Sequence, residues 1–110
     1  MLSKADILGA QDFKIESVDV PEWGGTVYVK SLTSRQRDEM ERRVTGKEMD
    51  NLRALFVVWC VCDEKGAPLF DESDLEAISN KSGAATGRIF NKIMELTQFS
   101  DDDLEDLTKN

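Results

Sequence analysis

The distribution of apolar and polar residues predicts one buried element at the centre of the chain. In residues 52–62, ten of the eleven residues are apolar and only Arg53 is charged. A segment that is apolar around its whole circumference is typical of a helix in the middle of a domain. A buried strand gives the same pattern over so short a run. The sequence therefore predicts a central element over residues 50–62, as a helix or as a buried strand.

An alternating pattern predicts a β-hairpin in the N-terminal third. Residues 13–20 alternate between apolar and polar side chains and change phase near Ser17, which predicts a bulge or a strand covered on both faces at its end. A turn cluster over residues 21–25 leads to a second alternating strand over 26–32. We expect an antiparallel hairpin with a five-residue loop. Because a lone hairpin is marginal in water, it should pack on the helices.

Capping patterns predict two helices on either side of the central element. Thr33 and Gln36 have the spacing of a capping box, followed by a polar helix that extends to Val44. Ser73 and Glu76 have the same spacing and predict a short helix that ends by residue 83. Gly66, between the central element and this helix, is either a helix C′ residue or the left-handed residue of a hairpin turn.

The two ends of the chain have different patterns. Ser3 and Gly9 predict a short helix over residues 2–9, with a mobile arm over residues 1–10 as the alternative. The last long helix is predicted over residues 84–99, where apolar positions recur at helical spacing. Residues 100–110 form an acidic, frayed tail. With 110 residues, the chain fits one α+β domain over residues 1–110, mostly helical with an N-terminal antiparallel β-hairpin.

Charge narrows the classes of partner. The formal net charge is −8, and residues 63–76 contribute six acidic residues against Lys65, which is −5. Residues 100–110 contribute five acidic residues against Lys109, which is −4. Such a surface repels nucleic acids and anionic lipids, so we expect neither as a partner. An apolar run of eleven residues spans about 16 Å as a helix, too short for a bilayer core of about 30 Å. We also expect no secretory signal.

The residue types needed for most catalytic or metal sites are missing. The sequence has no histidine, which excludes Cys/His zinc sites and Ser-His or Cys-His nucleophile pairs. Loops that begin at Asp63 or Asp101 lack the glycine that a calcium loop requires at its sixth position. Cys60 and Cys62 are expected to be reduced, buried thiols. We therefore predict no catalytic residues, no metal ligands and no cofactor.

Two features are candidates for a partner-binding surface. Trp23 lies in the hairpin loop, where it either folds back onto the core or serves as an exposed anchor, since tryptophan is common at interface hot spots. The second candidate is the C-terminal apolar stripe, which is either plain core or a surface for a basic amphipathic helix of a partner. The stripe consists of Ile89, Ile93, Leu96, Leu104 and Leu107.

The order of these segments resembles a known family. The segments are the strand over 15–20 with the turn at 21–25 and the strand at 27–29, the capped polar helix from Thr33, the apolar run that ends at 63–66, the helix start at 73–75, and a final amphipathic helix with an acidic tail. In this order they resemble the tail assembly chaperones of lambda-like bacteriophages with long, non-contractile tails. The resemblance covers nearly the whole chain and includes no catalytic motif.

The resemblance implies a role without catalysis in the cytoplasm of the infected bacterial host. Such proteins bind the long, helical tape measure protein, promote polymerisation of the tail tube protein around it and are absent from the mature virion. Several copies act on one client, which implies weak self-association. Many are also made in a longer form by a programmed frameshift. Codons for Thr108, Lys109 and Asn110 are compatible with the slippery run A-AAA-AAC, and the gene sequence would test this hypothesis.

Overall fold

A computed structural model describes residues 1–97 as a layer of helices packed on one face of a small antiparallel sheet. This architecture confirms the predicted α+β class with an N-terminal hairpin. Short 3₁₀ turns lie at Pro21–Trp23 and Glu72–Asp74. In chain order the elements are α1 Lys4–Leu8, β1 Ile15–Val20, β2 Gly25–Lys30, α2 Ser34–Thr45, α3 Leu52–Cys60, β3 Val61–Cys62, α4 Leu75–Ser79 and α5 Gly83–Thr97.

The predicted hairpin is present, with two corrections. Strands β1 and β2 pair in continuous register from Ile15 opposite Lys30 to Val20 opposite Gly25, so the predicted bulge near Ser17 is wrong. The loop has four residues rather than five, because Gly24 takes the left-handed conformation (φ +73°) and Gly25 already belongs to β2. The change of phase reflects coverage on both faces: Ile15 is half-buried on one face, while Val18 and Val20 pack on the other.

The central apolar run divides into a helix and a strand. Helix α3 ends at Cys60, and Val61 turns to an extended conformation with φ −70° and ψ 127°. Val61 and Cys62 then pair antiparallel with Val29 and Tyr28 of β2, which completes a sheet of order β1-β2-β3. The prediction of one element over residues 50–62 is therefore wrong, because a helix and a strand follow each other in this segment. Backbone pairing with β2 determines where the helix stops.

Most of the capping predictions are confirmed. In α2, the amide of Gln36 donates to the Thr33 hydroxyl and the amide of Thr33 donates to the Gln36 side chain, each at 3.0 Å. Ser3 caps α1 in the same reciprocal way with Asp6. The box predicted at Ser73 is wrong. Asp71 instead caps the 3₁₀ turn before α4, because its carboxylate accepts from the Ser73 amide while the Asp74 carboxylate accepts from the Asp71 amide, and no side chain caps α4 itself.

Helix α3 is the centre of the core. It packs against α5, α4 and the 3₁₀ turn before α4, and seven of its nine residues are buried. The Phe56 ring is fully buried and lies 4.9 Å from the Phe90 ring and 5.9 Å from the Trp59 ring, measured between centroids. Arg53, the one charged residue of the run, lies at the surface with its guanidinium 5.3 Å from the Phe90 ring centroid.

Helix α5 packs against the hairpin. It contacts β1, β2 and the 3₁₀ turn of the hairpin loop. At the loop, Arg88 Nε donates to the Glu22 carboxylate at 3.0 Å. Farther along, Lys92 Nζ lies 3.6 Å from a Glu16 carboxylate oxygen. These pairs fix the hairpin over the helix, so one face of the sheet is covered and the other faces away from the core.

Candidate partner-binding surface

The predicted stripe on α5 forms part of the core. Ile89 and Ile93 are completely buried, and Leu96 is 6% exposed. These three side chains therefore contact the rest of the chain and are inaccessible to a partner in this conformation. Leu104 and Leu107, which complete the predicted stripe, lie outside the described residues. A partner-binding role for the stripe stays a prediction, and the burial of its first three members favours the interpretation as core.

Trp23 packs on the protein's own core. The side chain is half-buried and lies against the main hydrophobic cluster. The next residue, Gly24, has a left-handed backbone, and the preceding Glu22 is held to α5 by Arg88. The loop is therefore fixed with its tryptophan turned inward, although part of the ring remains accessible. Its use as a partner anchor stays a prediction.

The exposed apolar side chains concentrate elsewhere, in the first fourteen residues. All fourteen are exposed, and Leu2, Ile7 and Leu8 retain 72%, 58% and 75% of their accessible surface. We refer to residues 1–10, which contain α1, as the arm. Isolated apolar side chains on a surface are ordinary, but several exposed ones within a short segment are typical of an interaction site.

Local interactions define the arm as a helix. The Asp6 amide donates to the Ser3 hydroxyl at 3.1 Å, and the Ser3 amide donates to the Asp6 carboxylate at 2.9 Å. These bonds hold the pKa of Asp6 below its usual value. Leu2 and Ile7 occupy the N′ and N4 positions, which form a hydrophobic staple in many capped helices. The arm thus has the end structure of a stable helix without the tertiary packing that such a helix usually has.

The two faces of the sheet differ in composition. Because successive strand side chains point to opposite faces, the register places Val18, Val20 and Val29 together on the inner face, over the helices. The outer face carries the alternate residues, among which Asp19 accepts a 3.0 Å hydrogen bond from the Thr26 hydroxyl. Among residues 1–97, the main helix contacts of the sheet are those of α5 with β1 and β2 and of α3 with β3.

An apolar patch on the outer face is organised around Lys30. Its ammonium donates to the Gly66 carbonyl at 3.2 Å and lies 5.4 Å from the centroid of the Phe13 ring. Ile15 is the register partner of Lys30, and Tyr28 lies two residues before it on the same face. Phe13 is 44% exposed and Tyr28 is 40% exposed. We call Phe13, Ile15, Tyr28 and Lys30 the outer patch.

A glycine turn borders the outer patch. Gly66 has φ +91°, and a Cβ atom at this position would lie 3.2 Å from Cδ1 of Ile15. The Asp63 carboxylate holds the turn by accepting from the amides of Lys65 and Ala67, at 2.8 and 2.9 Å. Gly66 is therefore the left-handed residue of a turn between β3 and Pro68, as one of the two predicted alternatives states.

The acidic surface contains few strongly perturbed groups. In α2, hydrogen bonds from Arg42 and then Arg43 lower the pKa of Glu39 to about 2. Arg88 lowers the pKa of Glu22, and Ser73 lowers that of Asp71. All three are carboxylates paired at the surface. They stay ionised at neutral pH and are unsuited to general acid–base catalysis.

The two thiols are buried and unpaired with each other. Burial raises the pKa of Cys60 to about 12, and that of Cys62 is also raised. Both are therefore protonated and poor nucleophiles at neutral pH. Across residues 1–97, no group of three or more acidic or cysteine side chains is placed to hold a metal ion. No helix in that part of the chain is long and apolar enough to cross a bilayer.

Two shallow clefts lie beside the helices. One of about 250 Å³ is lined by the linker after the arm, the start of α2 and the end of α5. The other, of about 180 Å³, lies where α3 and α5 begin. Neither contains a nucleophile beside a base. The arm and the outer patch are therefore the candidate surface for a partner. The sequence patterns identified neither of them, because apolar residues of a short helix or strand look the same in a sequence whether they are packed or exposed.

Comparison with known proteins adds independent information. A family model described as phage tail assembly chaperone matches residues 4–110. A solved structure, that of the bacteriophage HK97 tail assembly chaperone, superposes with a TM-score of 0.65 at 19% sequence identity, covering 86% of this chain and 93% of that one. At that identity the structural similarity supports the fold alone. No curated protein sequence matches the chain significantly.

Proposed function

Because this chain belongs to the phage tail assembly chaperone family, we propose that it binds the tape measure protein, keeps that protein soluble and promotes polymerisation of the tail tube around it. The observation that carries the proposal is the family match over residues 4–110, nearly the whole chain. The protein acts without catalysis in the cytoplasm of the infected bacterium and is absent from the mature virion. A longer frameshifted form recruits the tail tube protein, and several copies associate weakly on one client.

The physical properties of the chain support this role. A net charge of −8 keeps a complex with an aggregation-prone client in solution, since like-charged complexes repel each other. The arm and the outer patch offer exposed apolar side chains for contacts with other protein chains during assembly. The lowered pKa of Glu39 and the raised pKa of Cys60 leave one ionised and the other protonated at neutral pH, which supports a role without catalysis.

Co-expression with the long helical protein encoded just downstream tests the proposal. We expect the client to be mostly insoluble alone, and to be soluble and co-purified when this chain is present. A client that stays insoluble, or that never co-purifies, would contradict the chaperone role. Mass spectrometry of purified phage particles tests the alternative of a structural tail component: a stoichiometric amount of this chain in mature particles would favour that alternative.

A further inference from the structure

Two surfaces of the described chain keep apolar side chains accessible to solvent. The arm carries Leu2, Ile7 and Leu8, and all three side chains are exposed. The outer patch carries Phe13 and Tyr28 on the outer face of the sheet. A helix with an apolar side and a sheet face with aromatic side chains are complementary kinds of surface, because helices commonly pack on sheet faces in α+β domains.

The linker between the arm and β1 lies beside the end of β2 and the start of α2. The Ser31 amide donates to the Lys14 carbonyl at 3.2 Å, which extends the pairing of β1 with β2 by one residue toward the arm. The linker then lies beside the start of α2, where Asp12 and Lys14 line a cleft. Residues 1–14 are all exposed, so the arm is not packed on its own outer patch in this structure.

Charge favours the arm as the segment that contacts a second copy. Residues 15–97 carry fifteen acidic and eleven basic residues, a net charge of −4, so two such bodies repel each other. Residues 1–14 carry Lys4, Lys14, Asp6 and Asp12 and are formally neutral. A neutral apolar helix therefore brings less repulsion to an acidic surface than any contact between two bodies.

We propose that the arm of one copy docks on the outer patch of a second copy, so that the chains associate head to tail. This inference names the residues through which the copies of the proposed function associate, and it rests on that proposed function. The contact is heterologous, which leaves one arm and one outer patch free at the two ends of each dimer and permits growth into short chains. The capping box of α1 favours the helical conformation of the arm before docking, which reduces the entropy lost on binding.

The contact is weak. An arm of ten residues and a patch of four residues bury much less than the roughly 800 Å² per partner of a standard stable interface. We expect a dissociation constant between about 100 μM and about 1 mM, so the protein is monomeric when dilute and partly associated at the highest concentration tested. On a long client, copies held side by side reach a high effective concentration, and the same contact then orders them in a row.

Sedimentation velocity of the full chain from about 10 μM to about 1 mM tests the proposal. We expect the weight-average sedimentation coefficient of the unaltered protein to rise with concentration. The arm variant carries Ile7→Glu and Leu8→Glu. The patch variant carries Tyr28→Glu, and Phe13→Glu replaces it if circular dichroism shows that the first does not fold. Each variant should weaken association at least about tenfold, because a buried unpaired charge opposes docking.

A mixing experiment separates head-to-tail docking from other arrangements. The arm variant retains its patch and the patch variant retains its arm, so an equimolar mixture should form a one-to-one dimer that does not grow further. Leu69→Glu is the control, since Leu69 is exposed but lies outside both surfaces, and it should associate like the unaltered protein.

Three results would overturn the proposal: a protein that stays monomeric at about 1 mM, an arm variant that associates normally, or a mixture that forms no dimer. The first result would mean that the arm has no partner on a second copy. The second would place self-association elsewhere on the chain. Because no client is present, none of these results would by itself contradict the chaperone role, which the co-expression experiment tests separately.

Discussion

Helices α1 and α3 are stabilised in opposite ways. Helix α3 has seven buried residues, and no side chain caps its N-terminus, where Asn51 has a left-handed backbone. Helix α1 has a complete capping box and no buried residue. Tertiary packing therefore stabilises α3, and local hydrogen bonds stabilise α1. Most of the α3 surface is therefore occupied by packing within the chain, whereas the side chains of α1 remain accessible.

The largest expected effect is at the centre of α3. Phe56→Ala removes a fully buried ring that contacts Phe90 and Trp59, so we expect a loss of about 3–5 kcal/mol in the free energy of unfolding. Leu8→Ala in the arm should change it by less than about 0.5 kcal/mol. Urea denaturation measures both. If the two substitutions had similar effects, the contrast between the two helices would be wrong.

A smaller effect is expected at the turn beside the outer patch. Gly66→Ala places a side chain at φ +91° and against Cδ1 of Ile15, which should cost about 1–2 kcal/mol of stability. The control is Gly87→Ala in α5, where an added Cβ meets no atom within 4 Å. That change should stabilise the protein by about 0.5–1 kcal/mol. Thermal unfolding of both variants measures the difference, and destabilisation of equal size would show that Gly66 is not constrained.

Removal of the N-cap side chain should have different consequences for stability in α2 and in α1. Thr33→Ala removes the cap of α2, which packs on the core through Met40, and should cost about 1 kcal/mol in urea denaturation. Ser3→Ala removes the cap of α1 and should leave global stability unchanged. Chemical shifts of residues 4–8 should nevertheless lose their helical character in the second variant. A global loss from Ser3→Ala would mean that the arm packs on the body.

The smallest effect concerns the pair that ties the hairpin loop to α5. Arg88 holds the pKa of Glu22 below its ordinary value of 4.5. A lowered carboxyl pKa contributes stability above the unfolded value, and this contribution is lost as the pH falls through the folded value. Unfolding midpoints of the unaltered protein and of Glu22→Gln should therefore differ slightly at pH 7 and converge below the folded pKa. A difference that persists at strongly acidic pH would exclude this pair as its source.

Local signals predicted the fold better than they predicted the site. The capping box at Thr33 and the alternation of the hairpin placed α2, β1 and β2, and Ser3 as N-cap gave α1 as one of two alternatives. Strand β3 was missed because Val61 and Cys62 are apolar in either conformation, and only pairing with distant β2 makes them a strand. The cap at Asp71 was missed because Ser73 offers an equivalent local pattern.

The candidate surface was harder to predict, for a related reason. Burial depends on contacts between distant parts of the chain, so the sequence could not show that Ile89 and Ile93 are enclosed while Ile7 is exposed. Apolar spacing identifies a face that should be covered, but not what covers it. Only the packed structure shows which apolar faces are already occupied.

The direct junction between Cys60 and Val61 has a consequence for synthesis. The helix passes into the third strand without a linker, and β3 pairs with β2, more than thirty residues earlier in the chain. The hairpin alone is marginal, so a nascent chain on the ribosome has no stable sheet until residue 62 has left the exit tunnel. Premature arrest before that point would release an apolar helix with nothing to pack against, and proteases should remove such fragments quickly.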